Sequence, residues 1–303
     1  MISIMKHSVK EWFVVTRYWS FAVSTMPVIA TFAYLFSRGL IPGGFRPYLI
    51  LLLCLLGVVL LHSAGNVLSD WFDYRSGVDN ENAFAVPNLV FHKFEPKEYL
   101  RFSLILFVAG IIVGLVIFKM TGPGLLLIGG IGVLLTMLYS FLKFNALGDL
   151  DIFIIFGVLT VFGTAYALTG RFCPEALILS LPIGIITVSV LHANNTYDTV
   201  SDRDAGIKTF AMAIGLKASS ILYRAYMVIP FLCVIVSVIA GWLHPLALIS
   251  LIAAVPAWKN FKKAAGFEKE GLEAMSGLDQ ASAKLQMAFS GLLSIGLFIA
   301  GLL

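Results

Sequence analysis

Two stretches far apart in the chain put carboxylates where long apolar runs end. The first, Asn66 to Asp79, reads N-V-L-S-D-W-F-D-Y-R-S-G-V-D, and the second, Asn194 to Gly206, reads N-N-T-Y-D-T-V-S-D-R-D-A-G. In a continuing helix Asn66, Asp70 and Asp73 fall at i, i+4 and i+7, and Asn194, Asp198 and Asp202 fall at steps of four, so each set shares one face. Carboxylates at membrane depth are costly, and two clusters of one sign repel each other unless positive charge stands between them. Asp and Asn offer only oxygen ligands, which select hard cations. Mg2+ keeps some waters and divides its remaining positions between a few carboxylates and substrate phosphate. Asn66, Asp70, Asp73, Asp198 and Asp202 are therefore the metal candidates, Mg2+ the expected cofactor, and the holding of a diphosphate the expected chemistry.

Basic residues are close at hand. Lys143 closes an apolar run in Y-S-F-L-K, while Arg75, Arg203 and Lys208 flank the acidic stretches and could neutralise phosphate oxygens. Taken singly, each also fits an ordinary charged anchor at a membrane face. Lys143 stands out as the only basic residue of an otherwise short loop. One acidic stretch alone would fit a helix end capped by Asp and Asn; two with matched spacing on one side of the chain fit that reading poorly.

The elements that must hold these residues are membrane helices. The 303 residues are 59% hydrophobic and 13% charged, with a mean hydropathy of +0.93, far from the balance of a soluble domain. Nine apolar runs approach the length needed to cross a bilayer: Tyr18 to Phe36, Tyr48 to Ala64, Tyr99 to Phe118, Gly124 to Leu142, Ile152 to Leu168, Ala176 to His192, Ala218 to Trp242, Pro245 to Trp258 and Leu285 to Leu303. The expected fold is all-α, a single transmembrane domain of nine helices around a central cavity. The two motifs end the second and sixth spans and are each followed by a glycine (Gly77, Gly206), which suggests two pseudo-repeated four-helix units, about 18–143 and 149–265, plus a ninth helix.

With the amino terminus in the cytoplasm, the outer side holds only Arg38, Arg46, Lys119 and Arg171 of the basic residues. That bias is the positive-inside pattern, and it puts both acidic stretches on the cytoplasmic side of a cell membrane. The leader before Tyr18 lacks the features of a cleaved signal and is expected to remain. Its Trp12 and Phe13 among Lys6, Lys10 and Arg17 suit a short helix in the headgroup region. Cys54, Cys173 and Cys233 are scattered and suggest neither a disulfide nor a zinc site. The polar stretch Tyr74 to Glu98, with its apolar Phe84, Val86, Leu89, Val90 and Phe91, is expected to act as a lid over the site.

At this point the residues resemble a family. The two acidic stretches, with Y-S-F-L-K-F-N-A-L-G-D-L between them and R-Y-W-S-F-A-V-S-T-M-P-V near the start, are similar to the UbiA superfamily of intramembrane prenyltransferases. The paired Asn194 and Asn195, the A-L-G-D ending at Asp149 and the A-G-x-x-T ending at Thr209 resemble its menaquinone-type branch, the dihydroxynaphthoate prenyltransferases. That branch commonly has Asn at Ser69 and Arg at Tyr197. The resemblance implies that Mg2+ and basic residues draw the diphosphate off an allylic prenyl diphosphate, and that an aromatic quinone precursor attacks the carbocation within the membrane lipid. It implies catalytic roles for Asp70, Asp73, Asp198, Asp202 and Lys143. Substrate contacts are implied for Asn66, Asn194, Asn195, Tyr139, Arg17, Arg75, Arg203 and Lys208. A glycerol-phosphate lipid is the alternative acceptor, and no nucleic-acid partner is expected.

Two other classes compete. CDP-alcohol phosphotransferases also carry Asp clusters in membrane helices, but within one continuous motif that is missing here. A cation-coupled transporter would place its carboxylates at mid-membrane in broken helices, whereas these lie at the ends of spans.

Overall fold

The computed structural model describes residues 7–79 and 87–303, so Lys6 and the stretch with Phe84 and Val86 lie outside the described residues. Among the described residues the chain is helical with no strand, and a lone parallel bridge joins Asn145 to Lys208. A short helix, α1 (Val9–Val15), precedes eight that are long and apolar enough to cross a membrane. Seven of these carry the labels α2 (Tyr18–Ser37), α3 (Arg46–Ser76), α4 (Pro96–Thr121), α5 (Gly124–Phe144), α6 (Gly148–Thr169), α7 (Pro174–Tyr197) and α8 (Leu216–Ile239). After α8 a 3-10 stretch, Pro245–Ala253, runs into α9 (Ala254–Ala265), and α10 (Leu278–Ala300) is the eighth long apolar helix. The expected span from Pro245 to Trp258 is thus helical. It falls short of the other eight because the helix turns polar just beyond Trp258, at Lys259, Lys262 and Lys263, and its apolar part is left short.

Burial sorts the helices. α2, α7 and α10 pack on one another at the centre of the bundle, and α6 and the Pro245–Ala253 stretch close around them. α5 is the most outward, exposing Leu126, Leu127, Leu134 and Phe141. Apolar surface on that scale is stable against lipid and not against water. Since lipid is as apolar as leucine, contact inside such a bundle rests on close packing at small residues. Gly157 of α6 and Gly184 of α7 show it: a Cβ on Gly157 would lie 2.8 Å from the Gly184 Cα. The α6 segment Phe153–Leu159 at this contact is a π-helix, a local widening often found near functional sites.

The first turns of the chain depart from the headgroup-helix expectation. Ser8 caps α1 in a reciprocal box with Glu11, which satisfies two otherwise orphaned amides. Trp12 and Val15 turn inward, into a small cluster with Val67, Leu89, Phe94 and Tyr99, while Phe13 faces outward. Lys93 pairs with Glu11 at 2.9 Å. The described end of the polar stretch after α3 is therefore fastened to α1, with Leu89 and Val90 buried and Phe91 exposed.

Candidate active site

α3 runs unbroken through the first acidic stretch and stops at Gly77, whose φ of 81° is the left-handed turn that glycine adopts without strain. Continuity gives the expected face: Asp70 and Asp73 are both buried. Arg75 lies on another side of the helix, exposed, with its guanidinium 5.1 Å from the Trp71 ring centre. It does not join the carboxylates.

Arg17 does. It sits at the junction of α1 and α2 with φ 56° and ψ 50°, a left-handed conformation uncommon for a residue with a Cβ. From there its Nη2 donates to Asp70 Oδ1. Asn66, one turn before Asp70, fastens the junction: its Nδ2 donates to Thr16 O at 3.1 Å and to Ser20 Oγ at 3.3 Å. Asn66 thus holds the turn that presents Arg17. Strained backbone persists where surrounding contacts over-determine it, and such places concentrate at functional sites.

Lys143 is buried at the end of α5, with its Nζ 3.6 Å from Asp73 Oδ2. Ser69 Oγ donates to the same oxygen at 3.5 Å. The chain turns sharply beyond Lys143, with Ala146 at φ 62°, and α6 begins hard against the end of α5. A Cβ on Gly148 would lie 3.1 Å from the Lys143 Cα. Tyr139, one turn deeper on α5, interacts electrostatically with Lys143, Asp73 and Arg17.

At the second acidic stretch the expected continuous helix is interrupted. α7 ends at Tyr197, Asp198 takes φ −81° and ψ 10°, and a short helix, Thr199–Asp204, follows. The steps of four survive the break, because Asn194 Nδ2 still donates to Asp198 Oδ2 at 2.8 Å. Asp202 is buried; burial pushes its carboxyl up to about 6 and raises that of Asp198 as well, in both cases against the pull of Lys143. Lys143 is thus the charge shared by the two stretches. Asn195 is buried with no partner for its Oδ1, whereas Arg203, Lys208 and Tyr197 are exposed. The Lys208 amide donates to Phe144 O at 3.3 Å, tying the loop after Asp202 to the residue next to Lys143.

The positive charge between the carboxylates is therefore supplied by Arg17 and Lys143. Among the described residues no three His, Cys, Asp or Glu side chains converge on a point where they alone could hold an ion. Asp70 Oδ2, Asp73 Oδ1 and Asp202 Oδ2 are buried without hydrogen-bond partners. Spare anionic oxygens beside fixed cations suit a divalent ion bound together with a phosphate, which completes what a few carboxylates cannot.

Two buried groups, His192 and Asp151, escaped the sequence reading, and the partner of a third, Asp149, did as well. Asp149 Oδ2 lies 2.6 Å from His192 Nδ1, joining α6 to α7, and His192 Nε2 lies 2.9 Å from Ser219 Oγ. Asp151, two residues on and so on the opposite side of α6, is buried with neither oxygen hydrogen-bonded, and it acts electrostatically on Tyr139. The A-L-G-D-L-D sequence at the start of a span was the available signal.

Fold and site together define a polytopic all-helical membrane protein with carboxylates and cations gathered at one end of its bundle. The model of the UbiA prenyltransferase family matches residues 18–269. UbiA prenyltransferase domain-containing protein 1 of Xenopus tropicalis is 32% identical over 224 residues, 71% of this chain and 63% of that protein. The mouse protein of the same name is 32% identical over 235 residues, 75% of this chain and 68% of that protein. Among solved structures, an apo UbiA homolog from Aeropyrum pernix K1 superposes with a TM-score of 0.70 at 18% identity, covering 92% of this chain and 97% of that one. A UbiA homolog from Archaeoglobus fulgidus bound to GPP and Mg2+ gives 0.63 at 12% identity, with coverage of 93% and 99%. A structure of digeranylgeranylglyceryl phosphate synthase gives 0.64 at 19%, with coverage of 96% and 99%. The chain belongs to the UbiA prenyltransferase family.

Proposed function

We propose that the protein transfers an isoprenoid chain from an allylic prenyl diphosphate to an aromatic quinone precursor within the membrane, in a Mg2+-dependent reaction that releases diphosphate. The observation that carries this reading is the pair of buried cation contacts, Arg17 on Asp70 and Lys143 beside Asp73, at the end of the bundle where the second acidic stretch also lies. Family membership supports the reaction type. The fold shared with a homolog bound to GPP and Mg2+ supports the choice of diphosphate and metal.

In this reading Arg17 and Lys143 bind the diphosphate oxygens, and Asp70, Asp73, Asp198 and Asp202 hold the metal side of the same anion. Bound Mg2+ would supply neutralising charge as the diphosphate departs. The guanidinium offers a planar fork for two oxygens, and the ammonium acts as a point charge. Charge develops on the leaving oxygens as the carbon–oxygen bond breaks, and cations already fixed in place stabilise it without reorganisation. Tyr139, one turn below Lys143, would offer an aromatic face to the developing allylic cation. Asn66 and Ser69 act indirectly, by fixing Arg17 and Asp73. The membrane setting would keep away the water that quenches a carbocation. Arg75, Arg203 and Lys208, exposed at the rim, serve as steering charges for the incoming anion.

We further assign the acceptor to the menaquinone-type branch, on the paired Asn194 and Asn195 and on the A-L-G-D sequence, and place the site and the amino terminus in the cytoplasm on the distribution of basic residues. A glycerol-phosphate acceptor is the second reading, favoured by the shared fold with digeranylgeranylglyceryl phosphate synthase. The test is incubation of purified protein with labelled geranylgeranyl diphosphate, Mg2+ and either dihydroxynaphthoate or geranylgeranylglyceryl phosphate. Label in a prenylated naphthalene product supports the first reading, and label in a diether lipid replaces it with the second. Label that remains in the diphosphate with both acceptors contradicts both.

A further inference from the structure

A second cluster of positive charge lies away from the acidic stretches. α8 starts at Leu216, on the membrane side where the Thr199–Asp204 helix lies, and carries Lys217 and Arg224 seven residues apart, on one face. Opposite, α9 ends at Ala265 and the chain continues through Phe267 and Glu268. Between them is a cavity of about 140 Å³ whose lining includes Lys217, Ser220, Arg224, Ala264, Phe267 and Glu268.

Arg224 is the member that calls for a ligand. It lies two turns inside the span, about 10 Å along the axis from Lys217. No carboxylate of the described residues forms an ion pair with it. Its Nε is buried without a hydrogen-bond partner, and its guanidinium lies 5.8 Å from the Phe261 ring centre. An arginine inside a span is costly unless something anionic meets it. Because Cβ bonds tilt toward a helix N-terminus, the Arg224 side chain reaches back toward Lys217 and the mouth of the cavity. The one acid in the lining, Glu268, pairs with Lys217 at 2.9 Å, about three-quarters exposed on both sides, and reaches Arg224 only electrostatically, without an ion pair. Such a pair is worth little and yields readily to a stronger anion.

We propose that this cavity holds the phosphate of an anionic membrane lipid between Lys217 and Arg224. Its acyl chains would run down the outer side of α8, where Ile221, Val228 at the turn after Tyr226, and Leu232 beyond it are exposed. That apolar strip selects a lipid over free phosphate, and basic pockets between membrane helices are a recurrent form of headgroup site. The site is separate from the reaction centre and does not depend on the proposed reaction.

Native mass spectrometry and thermal unfolding of the delipidated protein test it, with dioleoyl phosphatidic acid, dioleoyl phosphatidylcholine and inorganic phosphate as probes. Phosphatidic acid should remain bound and raise the unfolding temperature more than either other probe. Arg224→Gln should weaken its binding about fivefold to tenfold, and Arg224→Lys should keep part of it. Lys217→Gln, at an exposed position, should reduce binding as well, and it keeps the test open if Arg224→Gln misfolds. Equal effects of phosphatidic acid and phosphatidylcholine, or full binding in both glutamine variants, would overturn the proposal. Stabilisation by inorganic phosphate as large as that by the lipid would overturn the lipid assignment.

Discussion

Arg17 and Asp70 form an ion pair across 53 residues of sequence, with the arginine held in a left-handed backbone conformation and the carboxylate fully enclosed. The pair fastens the α1–α2 junction to the inner face of α3. Removing one partner leaves the other as an uncompensated buried charge, which costs far more than the pair contributes when intact.

Arg17→Ala should therefore raise the KM for prenyl diphosphate by about 10-fold to 100-fold, the loss of one or two hydrogen bonds to a charged group. Arg17→Lys should recover only part, since a point charge cannot replace a planar fork. Steady-state kinetics at saturating acceptor reads both. An unchanged KM in Arg17→Ala would remove Arg17 from the diphosphate site.

Lys143 stands between Asp73 at 3.6 Å and the second acidic stretch. Lys143→Ala should lower kcat/KM by at least about 100-fold, as for the loss of a group that stabilises leaving-group charge, and Lys143→Arg should retain more. Equal activity of the two variants would make Lys143 a membrane anchor and no more.

Protons should compete with the metal. Burial pushes the Asp202 carboxyl up to about 6, with Asp198 also raised. Below that value a proton occupies the carboxylate and must leave before Mg2+ binds, so apparent Mg2+ affinity falls as pH falls. Each protonated carboxylate weakens it by about tenfold per pH unit. Titration of activity with Mg2+ at pH 5 and pH 7.5 checks the sign: affinity equal at both, or higher at pH 5, contradicts it.

Packing at the π-helix makes a separate prediction. Gly157→Val puts side-chain atoms into the Gly184 backbone, and overpacking of this kind costs about 1–3 kcal/mol. Gly129→Val, on a helix face with nothing within 4 Å of a Cβ, should leave the unfolding temperature in detergent unchanged. A similar loss in both variants would mean that the α6–α7 contact is not special.

How far the sequence carried these assignments differs from residue to residue. Asp70 and Asp73 were legible because an unbroken helix turns spacing directly into a shared face. The same rule placed Asn194, Asp198 and Asp202 together but gave no warning of the break at Asp198, since a tight turn between two helices preserves a step of four. Arg75 shows the opposite failure. Two residues from Asp73 it lies about 200° round the helix, so nearness in sequence put it on the wrong side. His192, which meets Asp149 across 43 residues, carried no local signal, because a histidine in an apolar run usually packs as a core residue. Lys259, Lys262 and Lys263, directly after the expected eighth span, were plain in the sequence and explain why that span is shorter in apolar length than the others.

The central claim is that both acidic stretches, with Arg17 and Lys143, form one Mg2+–diphosphate site. It is tested most directly by equilibrium binding of a labelled geranylgeranyl thiodiphosphate, whose carbon–sulfur bond resists cleavage, to the purified protein, with and without Mg2+. Asp70→Ala and Asp198→Ala are compared with wild type after thermal unfolding has shown that each variant is folded. The account predicts saturable binding that needs Mg2+ and is weakened at least about 100-fold by either substitution alone. Wild-type affinity in either folded variant, or binding undiminished in excess EDTA, would contradict it.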